Sequence, residues 1–534
     1  MDDRPPPPLA TGLLAALAVA MLALQLAVIG EYGWFRDELY YLASTERLGW
    51  GYVDHPPLSI ALLALVRAAF GDSIVAVRMV PALAGAATVF VTGAIARQLG
   101  GGRSAQGLAA LCALASPVFL ALCHYYSMNA LDLLVWAIAA WLLLRALEDD
   151  GVPGGARSAG GSGRIGRWAA LGAVLGLGLL NKISVLWLGA GNAAGLLLTP
   201  HRRALHRPGP YLAAAIAGLI FLPHVLWQVR HGWPTLEFMH NATTLKMSAD
   251  SPLGVLADLV LSMNPFAAPV WLTGLAFGLF ACAGAAGGAD PNPDRRGRVL
   301  AWIYLTVLAL LLAAGRSRAS YLAPAYPMLL ALGGVAIERF SAAGGRRWLR
   351  PAAPAAVALG GAAALPFALP VLPVETFVRY QAAIGLEPGT DERHEMGALP
   401  QQYADMHGWE QMVGLVAEAY GRLSPAERRR ARVFGQNYGE AGAVDVLGEP
   451  LGLPPAISGH NSYWLWGPDA GEWDVLIIIG GDREDNARYF EEVEIVGRTE
   501  SRWSMLYERG LDVTIARRPT VSIEDAWPRL KHYD

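Results

Sequence analysis

The chain has 534 residues, of which 54% are hydrophobic and only 16% are charged, and its mean hydropathy is +0.33. This composition is too apolar for a soluble globular protein of this length and predicts a protein that crosses a membrane several times. The net charge of -3 gives no indication of a nucleic-acid partner. The three cysteines, Cys112, Cys123 and Cys282, lie in apolar runs and show neither a disulfide framework nor a metal-ligand spacing.

Residues 9–30 form the first predicted transmembrane helix. They contain no charged side chain and match the roughly 20 residues needed to cross a hydrocarbon core of about 30 Å. The preceding MDDRPPPP is not the basic start of a signal peptide, so we expect the helix to be retained. Further apolar runs bring the predicted total to eleven spans, the others lying near 74–98, 105–123, 131–147, 168–181, 183–199, 210–228, 266–286, 299–314, 321–337 and 351–372.

The basic residues predict the orientation. With the N-terminus in the cytoplasm, the inner loops are short and arginine-rich, namely RQLGGGR, RALEDDGVPGGARSAGGSGRIGR, HRRALHR, DRRGR and RRWLR. An odd number of spans then places residues 373–534 outside, in the periplasm or its equivalent. Within that region VLIII at 475–479 predicts a buried strand, and ARVFG, DVTIAR and the helix-like PAERRRA predict a soluble α/β or α+β domain.

Two long outer loops, near 31–73 and 229–265, are rich in Trp, Tyr and Phe beside charges, as expected for segments in the headgroup region. The first contains WFRDELYYLA, which places Asp37 and Glu38 immediately after the first span. Neighbouring residues on a helix point about 100° apart, so one carboxylate would react and the other would support it. The alternative is that Asp37 only N-caps a short helix, ELYYLASTER.

Three further sites carry charge in or beside apolar runs. Asp132 is expected in the first turn of the fourth helix, where the macrodipole favours an anion, or in a polar pocket with Asp37. Lys182 interrupts two short apolar runs, and Arg316 and Arg318 precede the tenth span. Cations in such places either bind a phosphate or snorkel to lipid headgroups.

Several motifs in order resemble the GT-C superfamily of membrane glycosyltransferases, over residues 1 to about 372: YVDHPPL at 52–58, YYSMNALDLLVWA at 125–137, GLGLLNKIS at 176–184 and GRSRASYLAPAYP at 315–327. Similar bacterial members are protein O-mannosyltransferases (glycosyltransferase family 39) and lipid A aminoarabinose transferases. The resemblance implies a polytopic α-helical GT-C domain over 1–372 and an extracytoplasmic domain over 373–534. It also implies an enzyme that moves a hexose or pentose from a polyprenyl-phosphate donor to an envelope glycan, glycolipid or protein.

The resemblance further assigns roles to residues. It implies that Asp37 is the catalytic acid-base residue, that Glu38 and Asp132 support it, and that Lys182, Arg316 and Arg318 contact the carrier phosphate. An arginine that follows the catalytic Asp in aminoarabinose transferases has only Arg47 as a candidate match. The tail motifs QNYGEAGAVDVLG and ISGHNSYWLWGP suggest carbohydrate contact through Trp464 and Trp466. Weaker candidates for a substrate pocket are Tyr41, Asp54, His55, Tyr125 and Tyr321.

Chemistry agrees with these roles. A polyprenyl phosphate is already a good leaving group and needs only cations that bind its growing charge. An acceptor hydroxyl is a poor nucleophile and needs a base, which contributes a factor of about 10² to 10⁴. Direct displacement would invert the anomeric centre.

The sequence also allows other functions and a metal site. A transporter or flippase of a lipid-linked sugar, with a periplasmic binding domain, also predicts intramembrane charges, but its halves should show repeats and we find none. A scaffold would not need eleven spans. Asp54 and His55 in VDHPP, with Asp37 and Glu38, leave open a divalent ion such as Mg²⁺ or Mn²⁺ as a cofactor. In the other interpretation, the Asp-His pair before two prolines stabilises a turn.

Overall fold

The computed structural model describes residues 7–148, 161–248, 251–281, 295–315, 318–342, 345–390, 392–468 and 474–534. The chain is mostly helical, and in chain order its helices are α1 Thr11–Ala27, α2 Arg36–Thr45, α3 Leu58–Phe70, α4 Ile74–Gln98, α5 Arg103–Leu114, α6 Pro117–Leu122, α7 Met128–Ala146, α8 Gly161–Asn181, α9 Val185–Leu197, α10 Pro208–Arg230, α11 Pro234–Asn241, α12 Pro252–Ser262, α13 Ala268–Phe280, α14 Arg296–Ala314, α15 Tyr326–Ala342, α16 Leu349–Ala368, α17 Val374–Ala383, α18 Gln401–Ala404, α19 Trp409–Arg422, α20 Pro425–Arg429, α21 Tyr438–Leu447, α22 Asn461–Trp466, α23 Arg483–Asn486 and α24 Ile523–Leu530. The strands are β1 Ala431–Phe434, β2 Ala456–Ile457, β3 Val475–Ile479, β4 Phe490–Arg498 and β5 Asp512–Pro519.

The elements form two compact units, and neither unit is one continuous stretch of chain. The first unit contains Met1–Ile29, Arg78–Val225 and Ala249–Val371, and the second contains Gly30–Val77, Leu226–Ser248 and Leu372–Asp534. The whole first predicted outer loop, 31–73, thus groups with the C-terminal region. Of the other predicted outer loop, 229–265, the part up to Ser248 does so as well.

The first unit holds most of the apolar helices. By length and composition, six described helical segments can cross a membrane, namely α4, α7, α10, α14, 320–342 containing α15, and α16. A seventh is the pair 252–262 and 265–280, bent by 93°, if it counts as one span. Three shorter apolar helices are α1, α3 and α9. The protein is therefore a multi-pass membrane protein, and the predicted count of eleven is not confirmed.

One predicted span is broken by proline. The run 105–123 is α5 followed by α6, with Ser116 in an extended conformation (φ -84°, ψ 117°) before Pro117. Proline disfavours the helical conformation of the residue before it and lacks an N–H for the helix ladder. The predicted interruption after residue 181 is confirmed, since α8 ends at Asn181 and α9 begins at Val185.

Small residues allow close helix packing in the first unit. An added Cβ at Gly333 in α15 would collide with the backbone carbonyl of Val270 in α13, and one at Gly274 would collide with that of Leu329. Helices in membranes commonly approach through such residues, because dispersion contacts rather than the hydrophobic effect hold them together.

The second unit contains a mixed five-stranded sheet of order β2-β1-β3-β5-β4. Strand β1 is parallel to β2 and β3, and β5 is antiparallel to β3 and β4. The predicted strand 475–479 is β3, and all five of its residues are buried, which agrees with an apolar run flanked by turn residues. The predicted helix-like segment PAERRRA contains α20.

Candidate active site

Helix α2 begins with the charged cluster of the first loop. Phe35 is the N-cap residue and Arg36 the first helical residue. The Glu38 carboxylate accepts a hydrogen bond from the backbone N–H of Phe35 at 3.0 Å, the reciprocal half of a capping box, and Glu38 is fully buried. The alternative that Asp37 is the N-cap is therefore wrong, because Phe35 holds that position and Asp37 is the second residue of the helix.

Asp37, unlike the buried Glu38, is partly exposed and contacts two side chains. Its Oδ1 accepts a hydrogen bond from the Tyr438 hydroxyl at 2.9 Å and lies 3.8 Å from Arg36 Nε. Its side chain is 35% exposed. Close packing of α2 on α21 makes this contact, since an added Cβ at Gly442 would meet the backbone of α2 at 2.9 Å. An oriented carboxylate that solvent reaches is suited to take a proton from a hydroxyl.

Arg36 is held by a buried acid on its other side. Its Nη2 lies 3.7 Å from Asp405 Oδ2, and its Nη1 donates to the Tyr507 hydroxyl, which in turn donates to Asp405 Oδ1 at 3.3 Å. Burial raises the pKa of Asp405 to about 6, and the Arg36 charge opposes that rise. These contacts orient the guanidinium beside Asp37.

The VDHPP segment packs beneath α2. The Tyr40 hydroxyl donates to Asp54 Oδ1 at 2.9 Å, and the rings of Tyr41 and His55 stack at 4.7 Å. His55 is fully buried and Tyr41 nearly so, whereas the Asp54 side chain is 17% exposed. Burial raises the pKa of Asp54. The Tyr40 ring also lies 4.8 Å from that of Tyr438, so this segment supports the partner of Asp37.

The predicted metal residues make a sparse donor set. His55 Nε2 and Asp54 Oδ1 lie 3.8 Å apart, and the Glu38 carboxylate binds the Phe35 N–H. Among the described residues, no group of three ligating atoms includes them. Mg²⁺ prefers oxygen ligands and near-octahedral geometry, so these residues do not fit it well.

A different group of possible ligands lies near the end of the chain. His460, His532 and Asp534 place ligating atoms within 4.8 Å of one another. His460 Nδ1 accepts from the Tyr438 N–H at 3.4 Å, and its Nε2 is 2.9 Å from the Asp534 carbonyl. Both ring nitrogens are thus used in hydrogen bonds, and burial lowers the pKa of His460. This arrangement favours a neutral, structural histidine.

The remaining second-unit candidates differ in their surroundings. The Arg47 guanidinium lies 5.0 Å from the ring of Trp466, a cation–π contact. The Trp464 indole N–H donates to the Trp527 carbonyl at 3.0 Å, and the Trp527 indole N–H donates back to Trp464 at 3.2 Å. Trp464 therefore ties α22 to α24, which favours a packing role over sugar stacking.

The first unit contains a second polar cluster. Lys182 Nζ donates to Asn129 Oδ1 at 2.7 Å, lies 3.8 Å from Asp132 Oδ2 and sits 5.2 Å from the centre of the Tyr321 ring. Asp132 is 1% exposed and accepts from the Ser184 hydroxyl at 3.0 Å. The Lys182 side chain is only 12% exposed, so it does not snorkel to headgroups.

The structure corrects the predicted position of Asp132 and the predicted source of its stabilisation. Asp132 is the fifth residue of α7, which begins at Met128, so the prediction that it lies in the first turn is wrong. Its charge is balanced by Lys182 rather than by the helix dipole. Arg318 precedes a short 3₁₀ helix and interacts electrostatically with Lys182. Arg316 lies outside the described residues, and Tyr125 is half-buried.

The candidates thus fall into two sets. Asp37, Glu38, Tyr41, Asp54 and His55 lie in the second unit, and Tyr125, Asp132, Lys182, Arg318 and Tyr321 lie in the first.

Known proteins share parts of this sequence. The profile of dolichyl-phosphate-mannose-protein mannosyltransferases matches residues 54–227. A polyprenol-phosphate-mannose–protein mannosyltransferase of Corynebacterium glutamicum is 35% identical over 97 residues, which are 18% of this chain and 19% of that protein. The alignment thus spans about a fifth of that curated relative's length.

Solved structures share the fold. ArnT from Cupriavidus metallidurans, both in the apo state and bound to undecaprenyl phosphate, superposes with a TM-score of 0.60 at 14% identity, over 95% of this chain and 98% of that one. The chain therefore shares the fold of this protein. An oligosaccharyltransferase from Archaeoglobus fulgidus, tethered with an acceptor peptide, superposes with a TM-score of 0.50 at 11% identity, over 84% of this chain and 63% of that one.

Sequence reasoning missed Tyr438 and Asn129 as partners of charged groups. Tyr438 follows Asn437 in NYGE, and Asn437 is the N-cap of α21, where its Oδ1 accepts from the Glu440 N–H at 3.0 Å. That helix start was readable from the Asn and Glu three residues apart. No local signal, however, pairs Tyr438 with a residue 401 positions away.

Proposed function

We propose that this GT-C protein is a glycosyltransferase that moves a sugar from a polyprenyl-phosphate donor to an extracytoplasmic acceptor, with Asp37 as the base. The observation that carries the proposal is the contrast between Asp37 and the carboxylates around it. Its side chain is 35% exposed, whereas that of Asp54 is 17% exposed, that of Asp405 is 1% exposed and Glu38 is fully buried. Asp37 is thus the carboxylate of this cluster that a substrate reaches most readily.

The chemistry follows from that carboxylate. Asp37 takes the proton of the acceptor hydroxyl while the oxygen attacks the anomeric carbon. The bond between that carbon and the phosphate oxygen breaks, and its electron pair leaves with the carrier phosphate. One displacement inverts the anomeric centre. Tyr438 and Arg36 hold the carboxylate in position during this step, and Glu38 supports it by fixing the start of α2.

The proposed contacts to the donor phosphate are Lys182, Arg316 and Arg318. Support comes from Lys182, whose Nζ contacts Asn129 and Asp132 in an apolar unit, and from Arg318, whose positive charge acts on Lys182. Cations of this kind bind a phosphate strongly through charge-assisted hydrogen bonds. Asp132 supports the reaction by orienting Lys182. Asp54, Tyr41 and His55 are proposed to support the acceptor side, and Tyr125 and Tyr321 to lie near the donor.

The setting is proposed to be a bacterial inner membrane, with the N-terminus in the cytoplasm and residues 373–534 in the periplasm. The arginine-rich loops support this orientation. The acceptor is an envelope glycan, a glycolipid or a protein, and the sugar is a hexose or a pentose. The relatives' names support this class, since they describe a mannosyltransferase that uses a polyprenol phosphate and a protein bound to undecaprenyl phosphate. The transporter alternative has no such support.

The test compares neighbouring carboxylates on one helix. Asp37→Asn is nearly isosteric and removes only the base, so transfer should fall by at least about 10² while donor binding stays near normal. Glu38→Gln keeps an oxygen that accepts the hydrogen bond from the Phe35 N–H. This variant should therefore lose less transfer activity than Asp37→Asn. The measurement is transfer of radiolabel from undecaprenyl-phosphate hexose and pentose donors to an envelope fraction, using the purified full chain in nanodiscs.

Two results would contradict the proposal. Asp37→Asn with the activity of the parent would exclude Asp37 as the base. A parent that transfers label from none of these donors, although it is folded and binds them, would argue against glycosyl transfer itself.

A further inference from the structure

A cavity of about 560 Å³ lies in the first unit, and none of the residues of the two polar clusters described above lines it. Four helices line it, namely α1, α5, α15 and α16. Its volume falls within the range of about 300 to 1,000 Å³ that small-molecule sites occupy. Its lining includes the charged residues Arg103, Glu338 and Arg350 and the apolar residues Leu13, Leu17 and Leu111.

The polar end holds two arginines and one acid. Glu338 accepts hydrogen bonds from the backbone N–H groups of Gly102 at 2.6 Å and Ala105 at 3.2 Å, and from the Ser104 hydroxyl. Its carboxylate thus caps the N-terminus of α5. Among the described residues, none forms an ion pair with Arg103 or Arg350, and the Arg350 side chain makes one hydrogen bond, to Ser341 Oγ at 3.2 Å. The polar end therefore carries two guanidinium groups against one carboxylate, and that carboxylate is used by the N-terminus of α5.

The positions of the lining residues along their helices separate the charged part of the cavity from the apolar part. Arg103 is the first residue of α5 and Arg350 the second of α16, so both lie where their helices begin. Leu111 is eight residues further along α5, which corresponds to about 12 Å at 1.5 Å per residue. Leu13 and Leu17 of α1 line the same apolar part. Cations at the helix ends with an apolar channel running inward match a phosphate headgroup above a hydrocarbon chain.

We propose that this cavity binds an anionic glycerophospholipid of the surrounding membrane. Its phosphate lies between Arg103 and Arg350, and one acyl chain lies along Leu13, Leu17 and Leu111. Arginine suits this task because its planar guanidinium binds phosphate oxygens through paired hydrogen bonds. Basic pockets between transmembrane helices are known to bind such headgroups. The proposal is independent of the proposed glycosyl transfer, since it uses none of the residues assigned to that reaction.

The experiment measures lipid binding by native mass spectrometry of the full chain, delipidated in mild detergent. Phosphatidylglycerol and phosphatidylcholine with identical acyl chains serve as probes. We expect phosphatidylglycerol to bind about tenfold or more tightly, and the double variant Arg103→Gln/Arg350→Gln to lose this preference. Leu17→Trp, which fills the apolar end, should weaken binding of phosphatidylglycerol while both arginines remain.

The matched control removes two charges elsewhere. Arg202 and Arg203 are exposed in the 3₁₀ helix Pro200–His206, and the same side chains are exchanged in Arg202→Gln/Arg203→Gln. This control should leave phosphatidylglycerol binding within about twofold of the parent. An equal loss in the control would overturn the proposal in favour of general surface electrostatics. Equal affinity for the two lipids in the parent would overturn it as well.

A third probe separates the source of the phosphate. Undecaprenyl phosphate should compete poorly for this cavity. If it displaces phosphatidylglycerol from the parent, and loses affinity in Arg103→Gln/Arg350→Gln, the cavity belongs to the carrier lipid and the proposal is wrong.

Discussion

Asp37 and Glu38 are neighbours in α2, yet their surroundings give them different tasks. Glu38 points into the protein and binds the Phe35 N–H, while Asp37 reaches solvent and binds the Tyr438 hydroxyl. Residues adjacent on a helix diverge by about 100°, so a single turn places one acid in the fold and the other at its surface. Environment rather than residue type thus separates the structural carboxylate of Glu38 from that of Asp37, which we propose as the base.

A buried pair of acids makes the second unit sensitive to pH. Asn437 Nδ2 donates to Glu440 Oε1 and to Glu508 Oε1, each at 3.0 Å. Burial raises the pKa of Glu508 to about 7 and raises the pKa of Glu440 well above its usual value. The folded state then binds more protons than the unfolded state. The resulting stabilisation is complete below about pH 4.3, the pKa of an unfolded glutamate, and is lost as the pH rises through about 7.

Glu508→Gln should remove much of this dependence, because glutamine keeps the shape and never ionises. We expect the melting temperature of the variant, minus that of the parent, to rise between pH 4.5 and 7.5. Intrinsic fluorescence of the full chain in detergent measures it. Glu484→Gln, at an exposed glutamate of α23, is the control and should show a flat difference. A flat difference for Glu508→Gln would contradict the buried pair.

At the scale of elements, the break between α8 and α9 is tied to α7 by side chains. Asn181 Nδ2 donates to the Met128 carbonyl at 2.8 Å, and Lys182 and Ser184 contact Asn129 and Asp132. A helix that stops inside an apolar region leaves polar backbone groups without partners, and neighbouring polar side chains compensate for that loss. The cluster therefore stabilises an interruption that lipid alone would disfavour.

Removing only one charge of the Lys182–Asp132 ion pair should destabilise the fold more than removing both charges. Lys182→Met leaves a buried carboxylate without its cation, which costs about 3 to 5 kcal/mol in soluble proteins. Lys182→Met/Asp132→Asn removes both charges, so its melting temperature should lie above that of Lys182→Met. Thermal unfolding of the three proteins in the same detergent measures this. A double variant that melts at or below the single variant would show that the two residues stabilise the fold separately.

For the whole molecule, the proposed function depends on the side of the membrane on which the second unit lies. The second unit combines the first predicted outer loop with residues 372–534, as one compact body. A segment between two spans that folds together with the C-terminal region must face the same side as that region. We propose that this side is the periplasm.

Cysteine labelling tests this orientation. Glu484→Cys, in the second unit, should react with a membrane-impermeant maleimide in intact spheroplasts. Arg202→Cys, in the arginine-rich loop 201–207, should react only after lysis. The described native cysteines, Cys112 and Cys123, are buried and should give little background. The reverse pattern would invert the topology and exclude an extracytoplasmic base at Asp37.

The sequence by itself determined the features that depend on neighbours along the chain. Long apolar runs indicated most of the helices of the first unit, and the β-branched run at 475–479 indicated a buried strand, because burial follows hydrophobic pattern. The polar dipeptide Asn181-Lys182 marked the interruption between α8 and α9 for the same local reason. Ordered motifs along residues 1–372 predicted a GT-C fold, and the chain shares its fold with ArnT.

Only the tertiary structure decided which charged groups meet. Asp37 receives its hydrogen bond from Tyr438. Asp132 in α7 is paired with Lys182, which follows the end of α8 and lies 50 residues further along the chain. The close packing of α2 on α21, which brings Tyr438 to Asp37, also belongs to the tertiary structure. Hydrogen bonds between distant residues depend on the path of the backbone, and hydrophobic periodicity carries no record of that path.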